Sequence, residues 1–362
     1  MCRLLQLRAA PAAAGSRSRV RPRRPKLRDE VVTLAHGAGG KATRALVEGL
    51  FLEELDNPLL APLSDSALLE LNGSRFAFTT DSYVVKPIFF PGGDIGDLAV
   101  NGTVNDLAVA GARPVALSAG FVIEEGFAVA DLRRIAASMA RAAAVAGVPV
   151  ATGDTKVVER GKADGLYVTT AGIGVVPPEV ELGPERVKPG DRVLVSGTIG
   201  DHGMAVMVAR GELELEVDLR SDTAAVLPLT LALLELGGAI RWMRDPTRGG
   251  LATALNELAQ QAGVAVSLAE ASLPLRPAVI GTCEILGIDP LHVANEGRLV
   301  AVVAADASDA ALAALRSHPL GADAAIVGEV RAAPEGLVLL ETAFGGNRIV
   351  DMLVGDPLPR IC

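Results

Sequence analysis

Alternating apolar and polar positions in the first half of the chain predict short strands separated by polar turns. The runs at 67–71 and 76–82 alternate in this way, and the second ends on the carboxylate of Asp81. A longer apolar run at 168–176 reads as another strand. Pro177-Pro178 breaks it, which places a domain boundary near 178–190. Between these runs the period becomes helical. Leu132, Ile135, Met139 and Ala143 share one face of a helix over 131–147 that Gly147 stops. A further helix starts near Ile95 and carries Asn105 and Asp106. Upstream, 31–34 is strand-like, followed by the glycine-rich turn 36–41 and a helix through Leu55.

The second half repeats the alternation. A strand at 191–196 runs into a glycine-rich turn and a helix, Asp245-Pro246-Thr247-Arg248-Gly249-Gly250 leads into a helix over 251–261, and Asn295-Glu296-Gly297-Arg298 precedes a strand at 299–304. At the end, Pro357 and Pro359 keep the approach to Cys362 extended. The Cys362 thiol is expected on a mobile tether that can enter a pocket as a tethered substrate.

Composition narrows the function. Half of the residues are hydrophobic and only 3% aromatic, so the core is aliphatic and a surface for stacking nucleobases is not expected. The net charge of -9 is uneven. Residues 1–28 hold nine Lys/Arg and no acid, leaving 25 basic against 43 acidic residues downstream, which argues against nucleic-acid binding. That basic segment has the bias of a transit peptide, but without an apolar period it is read as a disordered extension. Cysteines at 2, 283 and 362 have no metal or redox spacing and suit a reducing cytosol. The best uncharged run, 223–234, is too short to span a membrane and contains Pro228.

Four carboxylates sit beside small or hydroxyl residues, mostly at element ends: Asp65, Asp81, Asp106 and Asp154. Singly each can be a helix cap or turn residue. Together, downstream of a glycine-rich turn with His36, Gly39, Gly40 and Lys41, they suit Mg²⁺ shared with a nucleotide. The turn at 245–250 offers a second set of N–H groups for an anion. The histidine spacing does not suit zinc.

These motifs resemble a known family. From Thr33 to Cys362 the chain resembles the HypE hydrogenase-maturation factors, carbamoyl dehydratases of the AIR synthase (PurM-like) superfamily. The resemblance rests on the 36–41 loop, Thr79-Thr80-Asp81-Ser82, Val104-Asn105-Asp106-Leu107, Thr152-Gly153-Asp154-Thr155-Lys156, the 245–250 and 295–298 turns, and Pro359-Arg360-Ile361-Cys362. The last is specific to HypE; the others are shared more loosely across the superfamily.

The resemblance implies a PurM-like two-domain fold. An α/β N-terminal domain (29–178) pairs its sheet with a twin in a homodimer, beside an α+β C-terminal domain (179–345) and a mobile tail (346–362). It implies ATP near His36, Gly39, Gly40, Lys41, Thr80, Asn105, Thr155, Thr247 and Arg248, with Mg²⁺ on Asp65, Asp81, Asp106 and Asp154. Cys362, Glu296 and Lys156 are the implied catalytic groups. Glu296 reads as a base or as a salt-bridge partner of Arg298, and Lys156 as a proton handler or a phosphate contact. The implied partners are the carbamoyltransferase HypF and a HypC–HypD iron scaffold, in the cytoplasm, with neither nucleic acid nor membrane. Two other readings are a kinase of a free small molecule, which gives a terminal thiol no role, and a non-catalytic protein with a docking tail.

Overall fold

The computed structural model describes the main chain of residues 8–9, and residues 27–211, 217–355, 358 and 360–362. The predicted disordered extension therefore lies largely outside the described residues. Its Arg8–Ala9 (β1) pairs antiparallel with Leu69 and Glu70.

The N-terminal half contains α1 (Lys41–Leu46), α2 (Leu52–Glu54), β2 (Ala67–Leu71), β3 (Ser74–Tyr83) and a small hairpin, β4 (Phe89–Phe90) with β5 (Gly93–Asp94). It continues with α3 (Ile95–Val109), β6 (Arg113–Glu124), α4 (Val129–Ala146), β7 (Val150–Val158) and β8 (Leu166–Val176). The main sheet runs β1-β2-β3-β8-β6-β7, so β7 is an edge strand. Helix α3 starts where Asp94 accepts from the amides of Gly96 and Asp97 while Asp97 accepts from the Asp94 amide, a reciprocal cap. Helix α4 ends where Gly147 turns left-handed.

Helices α3 and α4 pack on one face of this sheet, with Leu98, Leu107, Ile135 and Met139 in its core. Among the described residues no element covers the opposite face. Phe78, Ile173 and Val175 are exposed there. The run at 31–34, expected as a strand, is not one. Among the described residues no strand pairs with it, and Nδ1 of His36 accepts from the Thr33 amide (3.0 Å), which starts a tight helical turn.

The C-terminal half comprises β9 (Arg192–Val195), α5 (Asp201–Ala209), α6 (Leu227–Leu234), β10 (Ile240–Arg244), α7 (Gly250–Ala262), β11 (Ala265–Ala269) and α8 (Pro277–Leu286). It ends with β12 (Val300–Val303), α9 (Ser308–Arg316), β13 (Ala325–Arg331), β14 (Val338–Glu341) and β15 (Asn347–Val350). Its sheet, β10-β12-β9-β13-β11-β14-β15, is covered on both faces. Val193, Val195 and Val302 meet α7, while Leu194, Ala301 and Val303 meet α6 and α9. Strand β15 lies inside the segment expected to be a mobile tail. Antiparallel pairing with β14 carries the domain to Val350.

Candidate active site

Three carboxylates converge where the halves meet. One oxygen from each of Asp65, Asp106 and Asp245 lies within 4.8 Å of the others. Asp65 precedes β2, Asp106 lies in the last turn of α3, and Asp245 follows β10, so three elements aim acids at one point. Thr79 donates to Asp106 (2.6 Å), and Arg244 bridges Asp65 (3.0 Å) and Glu257 (2.8 Å). Burial pushes the Asp106 and Asp245 carboxyls well above their usual range, and their mutual repulsion with Asp65 and Asp81 adds to it. Clustered hard oxygens that Arg244 pairs only at Asp65 among the described residues fit a divalent cation.

Asp81 stands beside this cluster. Burial raises its carboxyl, while the Tyr83 hydroxyl, which donates to it at 3.0 Å, and Arg248 oppose the rise. Tyr83 lies two residues on along the same strand face and is buried.

Glu296 is held from the main chain. Its amide donates to Asp222 (3.1 Å), and its carbonyl accepts from Asn105 (3.1 Å). Asn105 also donates to Ala224 (3.0 Å) and accepts from the Val226 amide (2.8 Å). Removing its amide would strand buried polar groups at about 1–3 kcal/mol each. Asn105, expected at the nucleotide, thus spends its side chain clasping the two halves together. Gly297 follows because a Cβ there would collide with the Asp222 carbonyl. Arg298 pairs with Asp222 (3.5 Å) and Asp201 (4.0 Å); no ion pair to Glu296 forms among the described residues. Among the described residues, oxygen Oε1 of Glu296 is buried without a hydrogen-bond partner. Burial pushes this carboxyl well up, and Asp245, Asp222 and Asp81 push it further.

The chain end enters this site. The amides of Val84 and Lys86 donate to the carbonyls of Cys362 (3.2 Å) and Arg360 (3.1 Å), an antiparallel extension beyond β3. Leu358 and Ile361 are buried, Arg360 pairs with Asp164, and Arg210 donates to the Arg360 carbonyl (2.9 Å). Burying two aliphatic side chains yields about 1.5–3 kcal/mol each. Ordering the main chain costs about 1–2 kcal/mol per residue. The burial offsets part of that cost, and the main-chain hydrogen bonds and the Arg360 contacts add to that offset. Burial pushes the Cys362 thiol up to about 12; Arg248 opposes this, while the charge of Glu296, that of Asp81 and a hydrogen bond to Glu296 reinforce it. Conversely, Cys362 is the chief group favouring the charge of Arg248.

A cleft of about 990 Å³ opens beside the cluster, lined by His36, Gly39, Gly40, Asp65, Thr80, Thr247 and Arg248 among others. Gly40 is fitted closely, since a Cβ would strike the Leu353 carbonyl. Lys41 turns aside, pairing with Asp351 and donating its amide to Leu353 (3.0 Å). Asp154, Thr155 and Lys156 lie elsewhere, exposed on β7, with Asp154 and Lys156 paired at 3.1 Å. Register places Asp81, Thr170, Ala119 and Gly153 in one row across the sheet. Three strand spacings therefore separate the two motifs, about 14 Å.

Asp245 was within a recognised motif, yet its place in the cluster depends on the meeting of α3 and β10. Tyr83 could have been found from its position two residues after Asp81. Arg244 and Asp222 left no such local signal.

The AIR synthase related protein N-terminal domain family matches residues 63–176, and the corresponding C-terminal domain family matches 188–340. The carbamoyl dehydratase HypE of Rhodobacter capsulatus is 58% identical over 339 residues, covering 93% of this chain and 99% of that protein. Its Escherichia coli (strain K12) counterpart is 47% identical over 336 residues, covering 91% and 99%. Among solved structures, the hydrogenase maturation protein HypE in complex with ATP has a TM-score of 0.77 at 47% identity, over 92% of this chain and 100% of that one. A chain of the HypE–HypF complex has a TM-score of 0.81 at 49% identity, over 85% and 100%.

Proposed function

The chain belongs to the HypE carbamoyl dehydratases of the AIR synthase related family, and from that premise we propose that it uses ATP to dehydrate a carbamoyl group carried on the Cys362 thiol. The balance is S-carbamoyl-cysteine plus ATP giving S-cyano-cysteine, ADP and phosphate. The observation that supports this reading most is the docked tail, with its thiol against Glu296 and Arg248 at the edge of the cleft.

An amide oxygen is a poor leaving group, and phosphorylation removes that obstacle; the work of the protein is positioning and charge neutralisation. ATP is assigned to the cleft, with the 36–40 loop and the 245–250 turn offering main-chain donors. Asp65, Asp106, Asp245 and Asp81 are assigned to Mg²⁺, which when bound would supply positive charge to the phosphate oxygens and offset the repulsion by Asp245 and Asp81 that adds to burial in raising the Glu296 carboxyl. Glu296 then takes a proton from the carbamoyl nitrogen, its free Oε1 being the available acceptor. Arg248 steadies negative charge at the sulfur-bound group.

Asp154, Thr155 and Lys156 are assigned to a second copy's site. The uncovered apolar sheet face and the long bare edge of β7 call for a covering layer, and a homodimer would supply one. HypF is assigned as the enzyme that loads Cys362, and a HypC–HypD scaffold as the acceptor of cyanide for hydrogenase iron. The setting is assigned to the cytoplasm, where the thiol stays reduced. Among the described residues, no helix is long and apolar enough to cross a membrane.

Mass spectrometry of the Cys362 peptide, after incubation with HypF, carbamoyl phosphate and ATP, tests the reading. The expected result is an ATP-dependent loss of one water from the carbamoylated peptide. Modification of Cys283 instead, or water loss without ATP, overturns it.

A further inference from the structure

The described tail carbonyls are held by different kinds of donor. Main-chain amides hold those of Arg360 and Cys362, with an exposed contact from Arg210 also on the former (2.9 Å), and the Ile361 carbonyl accepts from a buried side chain, Nε2 of His202 at 2.6 Å. A carbonyl only accepts, so Nε2 carries the proton. Nδ1 is then left to accept from the Ser221 hydroxyl at 2.8 Å, and Ser221 Oγ accepts in turn from the Thr223 amide at 3.1 Å. The relay is fixed at both ends by main-chain groups, so its direction is set. Phe90 holds the ring edge-on, with centroids 5.5 Å apart. The Ser221 amide donates to Pro91 (2.8 Å), tying the segment to the β4–β5 hairpin.

The next residue, Asp222, accepts from the Glu296 amide. Consecutive side chains of one segment therefore orient the group that holds the tail and the group assigned as base.

We propose that His202 is a positioning residue for the reaction, a latch on the Ile361 carbonyl whose tautomer Ser221 fixes, and that segment 221–222 aligns the tethered carbamoyl group with Glu296. This rests on the tail reading above. The latch governs how long the tail stays docked, and through that both the reach of the carbamoyl group and the shielding of the thiol. Burial lowers the pKa of His202, consistent with a neutral ring of fixed tautomer.

Two readouts on the full chain separate the latch from the chemistry. The first is the rate at which iodoacetamide alkylates Cys362 without ATP, with buried Cys283 as internal reference. The second is single-turnover dehydration of the carbamoylated chain. His202→Leu removes the donor. It is expected to speed Cys362 alkylation by about 5- to 10-fold, the scale of one lost hydrogen bond, and to slow dehydration at least as much. His202→Gln, which restores an N–H near the same reach, should recover most of both. Ser221→Ala leaves the imidazole but frees its tautomer, and should move both in the same direction by a smaller factor. It carries the test if the leucine variant does not fold. Unchanged alkylation in His202→Leu, or in Ser221→Ala in its stead, overturns the latch, as does equal damage from leucine and glutamine. Faster alkylation in a chain that never dehydrates its carbamoyl group would keep the latch and reject the proposed reaction.

Discussion

Strands β3 and β7 carry similar segments, Thr79-Thr80-Asp81-Ser82 and Thr152-Gly153-Asp154-Thr155, with opposite electrostatic fates. Asp81 points to the helix-covered side of an interior strand, where burial raises its carboxyl and a tyrosine hydroxyl binds it. Asp154 lies on the bare edge strand, where a hydrogen bond from Lys156 holds its carboxyl below the usual range. Residue type and local spacing are alike in the two cases. Strand order and side-chain parity separate them, because they decide which carboxylate loses its water.

The contrast would break most visibly at the interior site. Glu296→Gln keeps the volume and removes the base, so dehydration is expected to fall by about 10²-fold or more while ATP still binds. Single-turnover rates beside an ATP titration check this. A normal rate would return Glu296 to a purely structural role.

Asp106→Asn comes next. It retains an acceptor for Thr79 but relieves a buried, mutually repelling cluster, so Mg²⁺-dependent ATP affinity should fall by about 10-fold while the Tm of the free protein rises by a few degrees. Calorimetry with and without Mg²⁺ reads both, and a lower Tm with unchanged affinity would contradict the cluster.

The same cluster sets a pH dependence. Asp106, Asp245 and Glu296 titrate higher folded than unfolded. The folded chain therefore keeps protons that the unfolded chain releases above about pH 4. The stability these groups contribute is complete below that pH and is lost as pH rises through their folded values. His202, lowered by burial, acts in the opposite sense. The diagnostic quantity is thus the difference between wild type and Asp106→Asn. The wild-type Tm should fall more steeply as pH rises above about 4, and Mg²⁺ should flatten that fall. Parallel curves would dissolve the interior half of the comparison.

The smallest effect belongs to the edge. Asp154→Asn is expected to leave Tm within about 2 °C, because an exposed pair contributes little to folding. A large loss of stability in dilute protein would show that Asp154 is buried in the free chain after all.

Much of this was legible from pattern. The alternation at 76–82 yields β3, the heptad-like spacing of Leu132, Ile135 and Met139 yields α4, and Pro177-Pro178 marks the end of β8. Asp65 and Asp106 stood out because carboxylates beside small residues at element ends are a local signal. Asp245 joined them only through the meeting of α3 and β10, a contact between residues far apart in sequence. Val31 and Val32 misled because β-propensity states a preference and cannot supply a neighbouring strand. The tail was legible only in part. Its prolines do favour extension, but the amides of Val84 and Lys86 that receive it lie about 280 residues upstream, on the domain-scale separations that no local window covers.

The distance between β7 and the acidic cluster also has a genetic consequence. If Lys156 serves a second copy's thiol, an allele lacking Lys156 and an allele lacking Cys362 are each silent alone, yet their mixed dimer retains one intact centre. Random pairing of equal amounts would leave about a quarter of the centres whole. Two null alleles of the same gene would then restore hydrogenase maturation when expressed together, whereas alleles altered at Cys362 and Glu296, which meet within a single chain, would show the reverse pattern of non-complementation.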